Sequence, residues 1–222
     1  MSHKTNKFSK NYYEIIIGLF VTTLIVSNIA SVKIISVHGI VFDAGTILFP
    51  LAYILGDIIT EIYGFKKLKQ LLYIGIAMLL VTFGVLYVVQ LLPALDTQAQ
   101  QAYTTILGPL WRIIVASITA IFFGELLNSY ILAKLKIKYQ GKRLWGRLVG
   151  STAIGSLTDT IIFSAIAFAG TINSKDLMNL ILTVFCIKML TELVLSPITV
   201  KIIGYMKRTS GTDIYEEPEL RL

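Results

Sequence analysis

Cysteine and histidine are nearly missing from the 222 residues: the chain has one cysteine, Cys186, and two histidines, His3 and His38, that lie far apart. An internal disulfide is thereby excluded, and no His/Cys set has the spacing of metal ligands, so neither a metal nor another cofactor is expected. Charge is scarce as well. Only 15% of the residues are Asp, Glu, Lys or Arg against 55% hydrophobic, and the mean hydropathy of +0.74 lies outside the range of soluble domains. The formal net charge of +7 is carried by short Lys/Arg clusters set between long apolar runs. That pattern suits anionic lipid headgroups and speaks against nucleic acid as a partner. The chain is expected to live in a bilayer.

Six stretches have the length and apolarity to cross about 30 Å of hydrocarbon, approximately 14–32, 44–63, 70–92, 111–134, 148–170 and 178–204. The first follows the basic run "SHKTNKFSKNYY"; it is too long for the hydrophobic region of a signal peptide and has no A-x-A-like site, so it is expected to remain as a span. Short connections holding Gly, Pro or charge separate the six, among them "KIISVHGIVFD" and "PALDTQAQQAYTTILGP". The expected fold is therefore all-α: one six-helix transmembrane domain over 14–206, with an N-terminal tail 1–13 and a C-terminal tail 207–222. Lys4, Lys7 and Lys10, Lys66, Lys67 and Lys69, the Lys134–Arg147 cluster, and Lys201, Lys207 and Arg208 alternate with connections that hold only Lys33, Arg112 and Lys175. By the positive-inside rule both termini are expected in the cytoplasm. The acidic end "DIYEEPELRL" reads as disordered and solvated.

Inside the spans lie five acids, Asp57, Glu61, Glu125, Asp159 and Glu192, and one cation at similar depth, Lys188. Each charge near a helix centre costs about 2.5 to 3.5 kcal/mol on insertion scales, so these groups are expected to face an interior cavity. Helical spacing puts Asp57 and Glu61 on one side with Tyr53 a turn away, and Glu125 with Asn128 and Phe122. Thr152, Gly155, Asp159 and Phe163 form a third stripe, and Asn28 adds an amide from the first span. Lys188, Glu192 and Arg112 make up the candidate coupling or ion-pair set: Lys188 and Glu192 can neutralise each other across one turn, and Arg112 beside Trp111 reads as an interface anchor. Glu61 can snorkel towards Lys66 and Lys67. Pro50 and Pro197 read as kinks or lining positions. An excess of carboxylates repels anionic cargo and favours cations or neutral molecules rich in hydrogen-bond donors.

Four stretches, "SNIASVKII", "FPLAYILGDIITEIYG", "RIIVASITAIFFGELLNSYI" and "IGSLTDTIIFSAIAFAG", resemble the queuosine precursor transporter family, six-helix bacterial membrane proteins also called vitamin uptake transporters. The resemblance implies import of a 7-deazaguanine base, a precursor or the salvaged base queuine of a modified tRNA nucleoside, across the bacterial inner membrane. It also implies that Asp57, Glu61, Glu125, Asn128 and Asp159 occupy the family's motif positions. The chemistry of the residues agrees, since a carboxylate can accept the adjacent ring N–H and amino donors of such a base while an aromatic face stacks on it. A substrate-capture subunit docking on a separate energising complex is the alternative. A membrane-embedded enzyme is the less favoured one, because H-E-x-x-H, G-x-S-x-G and any histidine within a span are missing. Proton coupling and facilitated diffusion both stay open, as does a homodimer.

Overall fold

The computed structural model describes residues 5–219, with side chains from Tyr12 onward. His3 and Lys4 lie outside the described residues, and the side chains of Lys7 and Lys10 lie outside them too. The helices are α1 (Thr5–Ala30), α2 (Phe49–Tyr63), α3 (Phe65–Leu91), α4 (Thr97–Leu107), α5 (Leu110–Lys138), α6 (Leu144–Phe168) and α7 (Ser174–Ser210). A two-stranded hairpin, β1 (Ile34–Val37) and β2 (Ile40–Asp43), and a 3-10 turn, Ala44–Ile47, stand between α1 and α2. Helix α1 begins inside the stretch expected as a tail, and α7 runs on into the other expected tail.

Five of these helices, α1, α3, α5, α6 and α7, are long and apolar enough to cross a membrane. Helix α2, expected as a span over 44–63, is the exception. Its 15 residues rise about 22 Å, short of a full crossing. The physical reason lies in its surroundings: all of its residues but Leu51 are buried. Other helices cover it, so it has no need of a lipid-facing length. Pro50 belongs to the first turn of α2, where its missing N–H costs nothing, so the expected kink is a helix start. Pro197 does lie inside α7, and there the Ser196 hydroxyl donates to the Leu193 carbonyl that the proline cannot reach, at 3.4 Å.

The connection expected between the first two spans is structured. His38 and Gly39 both have positive φ, the geometry of a two-residue hairpin turn, and Val37 pairs with Ile40 across it. Buried Asp43 ends β2 and accepts from Ser31 Oγ at 2.6 Å and Thr46 Oγ1 at 2.8 Å, which fixes the hairpin to α1 and to the 3-10 turn. The next expected loop contains α4, started by Asp96, whose carboxylate accepts from the amides of Gln98 and Ala99.

Helices α5 and α6 approach closely along Gly124 and Gly155. A Cβ at Gly124 would collide with Asp159, and one at Gly155 with Asn128. These glycines are what let two polar residues of the interior sit on adjacent helices at contact distance. Gly124→Ala or Gly155→Ala should each cost about 1 to 3 kcal/mol through overpacking. Gly146→Ala, with open space around it, should melt like the parent in detergent; equal melting of all three would refute close packing at this seam.

Candidate functional site

Two polar clusters occupy the interior, one at mid-bundle and one at the end where α2 meets α3. In the first, Asn128 Nδ2 of α5 donates to Asp57 Oδ1 of α2 at 2.9 Å, both residues fully buried. Glu125, one turn before Ser129 on α5, accepts from the Ser129 hydroxyl at 3.1 Å, and Ser129 in turn accepts from Thr60 of α2 at 2.9 Å. The Glu125 carboxylate sits against Gly56, where any Cβ would strike it. Glycine at 56 is what lets an acid of α5 reach α2. Helix α7 contributes Lys188, which pairs with Asp159 of α6, donates to Thr160 Oγ1 at 3.2 Å, and lies over the rings of Phe49 and Tyr53 at 5.3 and 5.6 Å. Glu192, one turn beyond Lys188 on α7, is buried in the same interior.

Four of the acids converge here and only one finds a cation. Among the described residues Asp57, Glu125 and Glu192 have no ion-pair partner, and Asp57 Oδ2, Asn128 Oδ1 and Glu192 Oε1 have no hydrogen-bond partner. Buried acceptors without donors are costly. The amide orientation at Asn128 follows from chemistry, since the reverse would set oxygen against oxygen. Asp57 and Asn128, bonded to each other, therefore each keep one acceptor oxygen without a donor. Phe49 and Tyr53, Glu125 and Asp159, Phe20 and Ile121 line a cavity of about 10 Å³, room for one water, to which the acid cluster contributes Glu125 and Asp159. Ligand sites for small molecules run to about 300 Å³ or more, so this conformation is closed around the cluster.

The structure corrects several expectations. Lys188 pairs with Asp159 across helices and not with Glu192 along its own. Arg112 is no ion-pair member: Nε donates to the Ile166 carbonyl at 2.6 Å and Nη2 to that of Ala169, capping the end of α6. Phe122 is half-buried, packs edge-on against the exposed Phe123 and does not line the interior cavity described above. Phe163 stands one layer back, edge-on to Phe49 at 5.8 Å. Asn28 donates to Leu24 O at 2.8 Å and Ser117 Oγ at 3.0 Å, tying α1 to α5.

The largest correction concerns Glu61. It is fully buried and does not reach Lys66 or Lys67. Arg147, at the start of α6 and itself 1% exposed, grips it with both terminal nitrogens at 2.7 and 3.0 Å, and Lys207 of α7 adds a third bond at 2.7 Å. Lys207 also meets Asp213 at 2.9 Å, as does Lys136 at 2.6 Å. The end expected to be disordered is therefore docked: Ile214 N donates to Ile62 O at 3.1 Å, and Glu216 accepts from the amide of Lys66, in the first turn of α3, at 2.6 Å. Arg147, Lys136, Lys207 and Asp213 escaped the sequence reading because they lie at helix ends counted as solvated loops. The signal was present: Arg147, Ser151, Gly155, Asp159 and Phe163 follow one another at four-residue steps, so the polar stripe of α6 leads straight to Arg147.

Comparison with known proteins fits this architecture of apolar helices around buried acids. Residues 43–202 match the family described as "Putative vitamin uptake transporter", and the chain belongs to that family of membrane transporters. A protein of Bacillus subtilis named "Probable queuosine precursor transporter" is 29% identical over 185 residues, 81% of each chain. One of the same name from Haemophilus influenzae is 27% identical over 128 residues, 56% of this chain and 51% of that one. No solved structure matches the chain.

Proposed function

We propose that the chain imports a 7-deazaguanine base, a precursor of queuosine or queuine, across the cytoplasmic membrane of a bacterium. The observation that carries the reading is the pair of unpartnered acceptors, Asp57 Oδ2 and Asn128 Oδ1. A guanine-like edge brings a ring N–H and an amino group side by side, two donors that match two acceptors. The names of the two relatives point to the same cargo. Phe49 and Tyr53 at the cavity wall offer rings for stacking, a contribution of about 1 to 3 kcal/mol per base. With so small a cavity, binding requires the helices around Asp57 to part.

In this reading the hairpin, the 3-10 turn and α2 together make the crossing that α2 is too short to make alone, giving six passes with both termini in the cytoplasm. Single cysteines at Lys67 and Lys142 in a Cys186→Ser background should then resist an impermeant thiol reagent in intact cells, and one at Gln98 should react. Labelling at Lys142 from outside would refute the topology.

The cargo is tested by expressing the chain alone in a host unable to make the precursors and measuring queuosine in tRNA. Restoration by externally supplied base, absent in the empty host, is the expected result. No restoration by the chain alone, with restoration once an energising complex is supplied, would favour a capture subunit; none under either condition would sink the cargo.

A further inference from the structure

We infer that the segment 211–217 is a strap that closes the cytoplasmic gate of the transport path, with Asp213 as its charge key. The inference rests on the topology and transport reading above for its direction, but the contacts stand by themselves. The strap touches four helix ends at once: Ile62 at the end of α2, Lys66 at the start of α3, Lys136 in the last turn of α5 and Lys207 in the last turn of α7. Lys136 bonds Glu61 O at 2.6 Å, Asp213 Oδ1 at 2.6 Å and Ile214 O at 2.7 Å, so one buried ammonium binds the strap to α2. Tyr215 lies under the same ammonium at 4.4 Å, and its hydroxyl fills the space that a side chain at Gly141 would need. Gly141 has a positive φ of 74° and is the turn between α5 and α6. A side chain at that position would be strained in its backbone and would push the strap away.

The charge count gives the strap its leverage. Under it lie three cations, Arg147, Lys207 and Lys136, and one anion, Glu61, and the strap itself adds Asp213. With Asp213 in place each cation has an acidic partner. With the strap lifted, three cations from α5, α6 and α7 face the single carboxylate of Glu61, and buried like charges without partners repel and draw in water. Undocking therefore favours parting of those helix ends. The route inward is polar: Thr60 and Ser129 link this end to Glu125, and Ser151 stands one turn from Arg147 on the α6 stripe that leads to Asp159. The bundle end that the strap closes is thus the end from which the cargo cluster is reached through polar side chains.

The carboxylate of the lock does not answer to ordinary pH. Burial raises the carboxyl of Asp213, but hydrogen bonds from Lys136 and Lys207 outweigh it and hold the group below the usual carboxylate range. A depressed folded-state value gives a contribution that is fully present above the ordinary range and lost only as pH falls through the lowered value, so Asp213 keeps its charge between about pH 6 and 8.

Two variants test the strap, Asp213→Asn and deletion of 211–222, each in a Cys186→Ser background with a reporter cysteine at Ser151 or, towards the opposite end, at Ser117. Inside-out membrane vesicles are treated with an impermeant maleimide, which needs no cargo and so reads the strap even where the cargo assignment fails. Labelling of Ser151→Cys should rise at least tenfold in both variants while labelling of Ser117→Cys stays within twofold. Unchanged labelling at Ser151→Cys in both variants overturns the inference. An equal rise at both reporters also overturns it, because the segment would then be a general staple of the fold and not a gate.

Discussion

Asp57→Asn is expected to weaken binding of a 7-deazaguanine base at least tenfold while leaving the protein as stable as the parent or more so. The two halves of that expectation have separate causes. The introduced amide would keep an oxygen towards Asn128 Nδ2, preserving the 2.9 Å bond that joins α2 to α5. Its new NH2 would stand where Oδ2 now offers a lone pair, so a donor would face the donors of the base, a mismatch of about 1 to 3 kcal/mol, more where a charge is lost. Stability should not fall, because Asp57 is buried and has no ion-pair partner. Replacing an unpaired buried acid by an amide removes a desolvation cost. Binding to purified protein and the melting midpoint in detergent check the two halves together. Parental affinity in Asp57→Asn would remove Asp57 from the site and shift attention to Glu125 and Asp159 at the cavity wall; a large loss of stability would make its role structural.

What the sequence made legible was that the acids turn inward, and what it concealed was the partner of each. Four-residue spacing put Asp57 and Glu61 on one side of α2, and both are buried there. Yet Asp57 meets an amide of α5, 71 residues away, while Glu61 meets cations 86 and 146 residues away on α6 and α7. Spacing along one helix carries no information about which helix lies opposite, so the two acids looked alike when one is unpaired and the other is gripped by two cations. The same limit hid the Lys188–Asp159 pair, for which the sequence offered Glu192 at a convenient four residues. Counting Lys and Arg as loop charge removed Arg147 from view, although it is among the most buried side chains described. "KIISVHGIVFD" carries a hairpin signal that its helix-breaking residues mask: β-branched residues flank His38-Gly39 at the spacing of two short strands. The acidic end misled because charge was taken as a preference for water, when Asp213 neutralises cations at the ends of two helices, α5 and α7.

Arg147→Met should be the most destabilising single change at the strap end, costing about 3 to 5 kcal/mol, the usual range for breaking a buried ion pair from one side. The guanidinium makes two bonds to Glu61 and two more to the carbonyls of Lys142 and Gly141, which close the turn between α5 and α6. Methionine fills much of the volume and satisfies none of these acceptors. Lys207→Met should cost clearly less, since Lys207 is 19% exposed and Glu61 would keep its bidentate partner. The decisive variant is the double one, Glu61→Gln with Arg147→Met. Lys207 stays with Glu61 when Arg147 is gone, so the test is the coupling: Glu61→Gln should cost clearly less in the Arg147→Met background than it costs alone, because the bidentate pair is already broken there. Lys207 and Lys136 would still hold Asp213 at 2.9 and 2.6 Å, so the strap should stay in place. Melting midpoints in one detergent, compared across the two single variants and the double, give the coupling between the residues directly. Additive losses in the double variant would mean that Glu61 and Arg147 act independently, and the bidentate pair could not then be what holds α6 to α2.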